Sequence, residues 1–322
     1  YLITACFIIS FELFLSGGFY MKIIILDGYV INPGDLSWEA LESIGQLEVY
    51  ERTSPEDILS RISASYAIFT NKCRITAEIM DKSPNLKFIG VLATGFDNID
   101  IEAARKRNIA VCNVPAYSAE SVAQHTFALL LELCNNVGLH NDAVQKGEWS
   151  KCQDYSMTMK PIFQLSGKSI GIIGYGNIGK RVGQIAEAFG MKVYPYSKEP
   201  ESALSADVIS VHCPATAENT GFIDREFISK LKDGAYLINT ARGSLINETD
   251  LAAALKSGKL AGAAIDVVSK EPMESDSPLF GIPNLIITPH IAFASKEARK
   301  IVCATSAANL KAFLAGERLN RL

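Results

Sequence analysis

The chain has 322 residues, 48% of them hydrophobic and 20% charged, with a formal net charge of -4. At about 150 residues per domain this length predicts two domains. The mild acidity gives no global pull toward nucleic acid or anionic membranes, so an anionic substrate needs a local cationic site.

Residues 1–20 stand apart. Tyr1 to Leu15 is apolar, broken by Glu12, and no Lys or Arg precedes Lys22. That lacks the basic start of a signal peptide, and fifteen residues are short for a membrane span. Met21-Lys22-Ile23-Ile24-Ile25-Leu26 reads as the first strand of a soluble domain. Residues 1–20 are therefore expected to be an extension outside the working fold; a membrane anchor is the competing reading.

From Met21 onward, short apolar runs alternate with amphipathic stretches. Strands are predicted at Ile23–Leu26, Leu47–Tyr50, Ala67–Thr70, Phe88–Leu92 and Ile109–Cys112. Continuous apolar runs of that length suit strands buried on both faces of a parallel sheet. Helices are predicted at Ser37–Ile44, Pro55–Ser63, Thr76–Asp81 and Ile101–Arg107. Val114-Pro115 ends this series. A long helix then runs over Ser121–Leu133, opened by Ser118-Ala119-Glu120. It is apolar nearly all round, so it reads as buried, and His125 within it reads as a packed core residue. The segment 135–165 reads as partly loop, with His140 exposed.

A second α/β series follows, with strands at Ser169–Ile173, Lys192–Tyr196, Asp207–His212, Ala235–Asn239, Ala263–Val267 and Leu285–Thr288. Lys296–Ala315 has helical spacing. The seven cysteines, among them Cys112 and Cys213 in apolar runs, are odd in number and contain no C-x-x-C pair. A disulfide framework or a metal site is not expected, and a reducing cytoplasm suits them.

Gly174-Tyr175-Gly176-Asn177-Ile178-Gly179 follows the strand Ser169–Ile173 directly and opens an amphipathic helix over Asn177–Phe189. A lone G-x-G-x-x-G is weak evidence; between a strand and a helix it signals a dinucleotide. Gly174 permits the tight turn, Gly176 lets backbone approach a pyrophosphate, and Gly179 permits close helix–strand packing. The helix N-terminus presents amides to the phosphates. Ser197 and Lys198 follow the next strand, where an acidic residue would hold a ribose 2′-hydroxyl. A hydroxyl and a cation accept a 2′-phosphate, which tilts the expected cofactor from NAD toward NADP. Glu199 or Glu201, turned inward, would restore NAD.

Further motifs follow in order: Val211-His212-Cys213-Pro214, Ile238-Asn239-Thr240-Ala241-Arg242-Gly243, Ala264-Ile265-Asp266-Val267-Val268 with Lys270-Glu271-Pro272, and Thr288-Pro289-His290-Ile291-Ala292. From about Met21 to the C-terminus the chain resembles the D-isomer-specific 2-hydroxyacid dehydrogenase family. The resemblance implies two Rossmann-like α/β domains with an interdomain cleft. A flavodoxin-like substrate domain would span 21–117 plus 294–322, and a doubly wound dinucleotide-binding domain 118–293. It implies a catalytic triad of Arg242, Glu271 and His290. It places His212, Cys213, Pro214, Thr240, Ala241, Asp266 and Ala292 beside the cofactor. It assigns the substrate to Arg242, His290 and the loop Ala93-Thr94-Gly95, whose amides would bind a carboxylate. Leu92-Ala93 stands where the family often has a basic residue, and Leu92 would line an apolar wall beside the substrate.

The chemistry is coherent on its own terms. Reducing a 2-oxo acid needs a hydride on one face of a carbonyl and a proton on its oxygen. Histidine titrates near neutrality, a carboxylate partner favours imidazolium, and arginine offers a rigid fork of donors to a carboxylate. The family implies a homodimer formed through the cofactor domain. Within it, the loop at Leu92–Gly95 and the hinge Tyr117–His125 are most similar to glycerate dehydrogenases (hydroxypyruvate reductases). Lactate- and phosphoglycerate-type activities, and a dinucleotide-sensing corepressor without catalysis, are the alternatives.

Overall fold

The computed structural model describes residues 21–322; the extension expected at 1–20 lies outside the described residues. The chain divides into two compact units. One comprises residues up to Tyr117 together with Ser295–Leu322, and the other Ser118–Ala294.

In the first unit, strands and helices alternate: β1 (Lys22–Ile25), α1 (Glu39–Glu42), β2 (Gln46–Val49), α2 (Ile58–Ile62), β3 (Ala67–Thr70), α3 (Ala77–Asp81), β4 (Phe88–Val91), α4 (Ile101–Lys106) and β5 (Ala110–Cys112). The strands pair in parallel in the order β2-β1-β3-β4-β5, the flavodoxin-like winding. Every residue of β3, β4 and β5 is buried, as a sheet covered on both faces requires. The edge strand β2 is only half-buried and carries Glu48, paired with Lys22 at 3.0 Å. Charge on an edge blunts pairing with another chain. Thr76 and Asp100 cap α3 and α4 by accepting the amides of Ile79 and Ala103, which is why those helices start where the sequence indicates. The chain's last helix, Lys296–Leu314, packs on β4 and α1. Arg299 ties it to the Asp35 carboxylate at 2.7 and 2.9 Å.

The second unit contains α5 (Ala119–Asn135), α6 (Val137–Gln145), β6 (Ser169–Ile173), α7 (Asn177–Ala188), β7 (Lys192–Pro195), α8 (Pro200–Leu204), β8 (Val208–Val211), α9 (Arg225–Ser229), β9 (Ala235–Asn239), α10 (Glu248–Ser257), β10 (Leu260–Ile265) and β11 (Leu285–Ile287); the terminal helix of the first unit is α11. Six parallel strands lie in the order β11-β10-β9-β8-β6-β7. The winding direction reverses between β6 and β8, and such a switch point is where open α/β sheets bind ligands. The expected pair of parallel α/β domains is thus the observed fold.

Boundaries differ where local signal is thin. β10 begins at Leu260, three residues before the predicted start, because Leu260 pairs with Ala235 across an irregularity that Ala261 and Gly262 do not announce. The segment read as partly loop contains the two-turn α6. It starts from Asn136 in the left-handed conformation, φ 48°, which turns the chain out of α5.

Candidate active site

Register places the site. Ile173 of β6 stands opposite Val211 of β8, Val211 opposite Asn239 of β9, Asn239 opposite Ile265 of β10, and Ile265 opposite Ile287 of β11. The next residues, Gly174, His212, Thr240, Asp266 and Thr288, therefore form a row along the carboxyl edge of the sheet. The ladder continues one step into that row: the amides of His212, Asp266 and Thr288 donate to Ile173, Asn239 and Ile265.

At the switch point, Gly174 has φ 93°, and a side chain there would run into the backbone of His212 and Cys213. A Cβ on Gly179 would strike the carbonyl of Gly174. Gly176 is different. It caps α7 in extended conformation, no side chain caps that helix end, and a Cβ on it would meet nothing within 4 Å. Two glycines are required by the fold and one by whatever approaches the helix N-terminus. That open cradle fits a dinucleotide pyrophosphate. Tyr175 packs into the unit's core, Ile178 is half-buried and Asn177 is exposed. Ser197 and Lys198 lie exposed on the turn that closes β7, with the Lys198 amide donating to Pro195.

His212 Nε2 is 2.8 Å from Ser210 Oγ, and Nδ1 is 3.4 Å from Thr240 Oγ1. Thr240 in turn meets Thr126 of α5 at 3.2 Å. Burial pushes the His212 imidazole down to about 3, so the ring is neutral at physiological pH. On the same turn Cys213 is half-buried and Pro214 is exposed.

Arg242 follows β9 on a loop stiffened by Asn239, whose side chain accepts the Ala241 amide at 3.0 Å and donates to the Arg242 carbonyl at 2.8 Å. Gly243 lies against the backbone of Val268 and Ser269, where any Cβ would collide. That contact sets the arginine loop against the loop carrying Glu271. Glu271 Oε2 lies 2.7 Å from His290 Nδ1. A carboxylate only accepts, so Nδ1 carries the proton and Nε2 is left for a reacting group. Both side chains are partly accessible.

His290 holds a left-handed backbone, φ 55°, strained for a residue with a Cβ. Asp266 holds it there. Its carbonyl accepts the His290 amide at 2.8 Å, and its carboxylate accepts the amides of Ile291 and Ala292 at 2.9 and 2.8 Å. Burial pushes the Asp266 carboxyl up, but bonds from His125, Thr288, Ile291 and Ala292 outweigh it and hold the group below the usual carboxylate range. The Ala292 carbonyl accepts from Ser121 Oγ of α5 at 2.6 Å. His290 does not cap α11; Ser295 does.

Three expectations need correction. His125 is not a core residue: it is half-buried, with Nε2 3.0 Å from Thr288 Oγ1. The sign lies in the sequence, because Ser121, His125 and Thr126 are polar residues at the start of a helix whose buried face is otherwise mostly apolar. His140 is half-buried rather than exposed; it bonds the Asn136 carbonyl through Nδ1 at 2.7 Å and accepts the Met159 amide at Nε2. Leu92 is fully buried, so it offers no wall to a substrate. Its carbonyl is held by Asn71, which sets the start of the Ala93-Thr94-Gly95 loop in the first unit. Thr94 there donates to the Val114 carbonyl, and its own carbonyl is held by Asn113. Among the described residues, no group of His, Cys, Asp and Glu could hold a metal ion. No helix there is long and apolar enough to cross a membrane.

A glycine cradle at the switch point, with an Arg, Glu and His set along the same sheet edge, defines a dinucleotide-dependent oxidoreductase. Residues 127–292 match the model of the D-isomer specific 2-hydroxyacid dehydrogenase, NAD binding domain. Over 318 residues the chain is 45% identical to a hydroxypyruvate reductase of Blautia hydrogenotrophica, covering 93% of this chain and 99% of that one. It is 38% identical over 282 residues to a glycerate dehydrogenase of Methylorubrum extorquens, covering 84% and 90%. A solved D-lactate dehydrogenase of Aquifex aeolicus, complexed with NAD and lactic acid, superposes with a TM-score of 0.78 at 31% identity, covering 92% and 96%. The chain belongs to the D-isomer specific 2-hydroxyacid dehydrogenase family.

Proposed function

We propose that this protein reduces a small 2-oxo acid, hydroxypyruvate or glyoxylate in the first instance, to the corresponding 2-hydroxy acid of D configuration where the product is chiral, and that the reaction is reversible. The observation that carries the reading is the Glu271–His290 pair at 2.7 Å on a turn buttressed by Asp266. When bound, the nicotinamide supplies the hydride. His290, its Nδ1–H on Glu271, gives the Nε2 proton to the substrate's carbonyl oxygen. Arg242 binds the substrate carboxylate and polarises the carbonyl. Amides of the Ala93-Thr94-Gly95 loop hold the carboxylate as dipoles. Gly174 to Gly179 hold the pyrophosphate; His212, Cys213, Pro214, Thr240, Ala241, Asp266 and Ala292 line the remainder of the dinucleotide.

A panel of hydroxypyruvate, glyoxylate, pyruvate and 3-phosphohydroxypyruvate, each with NADH and NADPH, tests this. Turnover of the first two is expected; dinucleotide binding with no turnover of any member would leave only a binding protein. His290→Asn should lower kcat by about 100-fold or more while leaving dinucleotide affinity intact. Ser197 and Lys198, exposed beyond β7, favour NADPH. A strong NADH preference in the same panel would refute that assignment. The name of the relative from B. hydrogenotrophica supports hydroxypyruvate. We place the enzyme in the cytoplasm as a homodimer joined through α5 and the segment 135–165, where Val137, Trp149, Tyr155 and Ile162 are exposed. Gel filtration at one monomer mass would count against the dimer.

A further inference from the structure

α5 is packed by its apolar residues into the core beneath β6, β9 and β10. Its polar residues Ser121 and His125 have another task. Thr288 Oγ1 lies 2.6 Å from Asp266 Oδ1, and His125 Nε2 lies 3.0 Å from Thr288 Oγ1 and 3.5 Å from Asp266 Oδ1. The directions of these bonds follow from what each group can do. An ionised carboxylate only accepts, so the Thr288 hydroxyl proton points at Asp266. The Thr288 oxygen then has only lone pairs to offer, so His125 Nε2 must be the donor. The chain runs one way: His125 Nε2–H to Thr288, Thr288 to Asp266.

Asp266 is fully buried, and its carboxylate and carbonyl between them hold the amides of His290, Ile291 and Ala292. Those bonds maintain the left-handed backbone of His290. The charged group facing His125 is Asp266, at the end of β10; the charged group facing His290 is Glu271, after β10. Ser121, one helical turn before His125, fixes the far side of the same turn through the Ala292 carbonyl. The helix thus grips the acid-bearing turn at two points.

We infer that His125 is a positioning residue for hydride transfer: its Nε2–H orients Thr288 and Asp266, which keep His290 Nδ1 on Glu271. This inference rests on the acid role proposed for His290. Without the donor, the Thr288 hydroxyl is free to turn, Asp266 loses a bond on the oxygen that also holds Ile291, and the strained turn relaxes. Small displacements of a reacting group are expensive in rate. Gln places an amide nitrogen near the position of Nε2, whereas Phe keeps the bulk and loses the donor.

The test compares wild type, His125→Phe, His125→Gln and Ser121→Ala. For each, kcat, KM for the 2-oxo acid and the dinucleotide, the pH profile of kcat and Tm are measured. His125→Phe should lower kcat by about 10- to 100-fold, with little change in dinucleotide KM. Its pH profile of kcat should depart from the wild-type profile, because the His290 ring is no longer held in register with Glu271. His125→Gln should recover most of kcat and the wild-type profile. A lower Tm for His125→Phe with unchanged kcat and profile would overturn the inference and leave His125 a structural residue. A second readout needs no turnover: 15N NMR of the wild-type protein at pH 8 should report His125 protonated at Nε2 and not at Nδ1. The opposite tautomer would overturn the inference even if the proposed activity stands. The Nε2 tautomer in a protein that reduces no 2-oxo acid would support the clamp while refuting the function.

Discussion

Glycines at three positions of one loop serve two different ends. Gly174 and Gly179 are glycine because protein atoms occupy the space a Cβ would take, and Gly174 also needs its positive φ. Gly176 faces open space, so nothing within the fold forbids alanine there. Gly174→Ala should destabilise the protein by at least about 1–3 kcal/mol, the cost of a non-glycine residue held in such a conformation, and more with the collision. Gly176→Ala should leave Tm near wild type while weakening dinucleotide binding by about tenfold or more, since the methyl enters the ligand's place. Urea unfolding and dinucleotide titration of both variants separate the two. Equal loss of stability in both would refute the distinction. The motif's spacing already suggests separate roles for the three glycines; the fold supplies what a Cβ would strike, the His212–Cys213 backbone at Gly174 and the Gly174 carbonyl at Gly179.

At the scale of elements, helix starts and strand identities were readable because their causes are local. Thr76, Asp100 and Ser295 precede helices expected from the sequence and accept an amide three residues on; Asp224 and Asn247 do the same for α9 and α10, for which the apolar pattern alone gave no expectation. Asn247 caps α10 by accepting the Asp250 amide at 3.1 Å, and Asn247→Ala should cost about 1 kcal/mol in chemical denaturation without touching kcat. A loss below a few tenths would show that water or Glu248 replaces the cap. α5 was legible as a long buried helix and misread in its polar residues. Periodicity tells which face is apolar, and cannot tell what a half-buried histidine meets. Thr288 and Asp266 lie more than 140 positions beyond His125, and only the sheet register brings them to it. β10 is shifted from its expected span for the converse reason: Ala261 and Gly262 are small and weak in strand preference, and pairing with β9 makes that stretch strand.

For the whole molecule, the buried titratable groups set how stability depends on pH. Folded His212 lies at about 3 against an ordinary value of 6.5, so the unfolded chain binds a proton there that the folded protein does not. Stability therefore rises with pH between about 3 and 6.5, by up to about 1.4 kcal/mol per pH unit for that one proton. Asp266, held below 3.8, contributes stability above that value and loses it as pH falls further. Burial pushes the Cys73, Cys112 and Cys303 thiols to about 11 and Cys134 to about 12 against 9.0. The unfolded chain gives up those protons first, so stability falls as pH rises above about 9. Urea unfolding across pH should show a maximum between about 6.5 and 9, and His212→Gln should flatten the acid side. A variant with the wild-type slope from pH 4 to 6.5 would place the proton elsewhere.

The sequence by itself determined the two α/β series, the dinucleotide loop and the family, and through the family resemblance it pointed to Arg242, Glu271 and His290 as the expected catalytic set. Each of these is written in short-range pattern: apolar runs, spacing of glycines, a few consecutive motif residues. Only the tertiary structure decided which of those residues meet. Parallel register aligned the ends of β6, β8, β9, β10 and β11, set Glu271 on His290 at 2.7 Å, and turned His125 from a core residue into a hydrogen-bond donor on the Thr288–Asp266 pair. The physical reason is that a hydrogen bond depends on distance and direction between groups far apart in the chain, which local patterning does not encode.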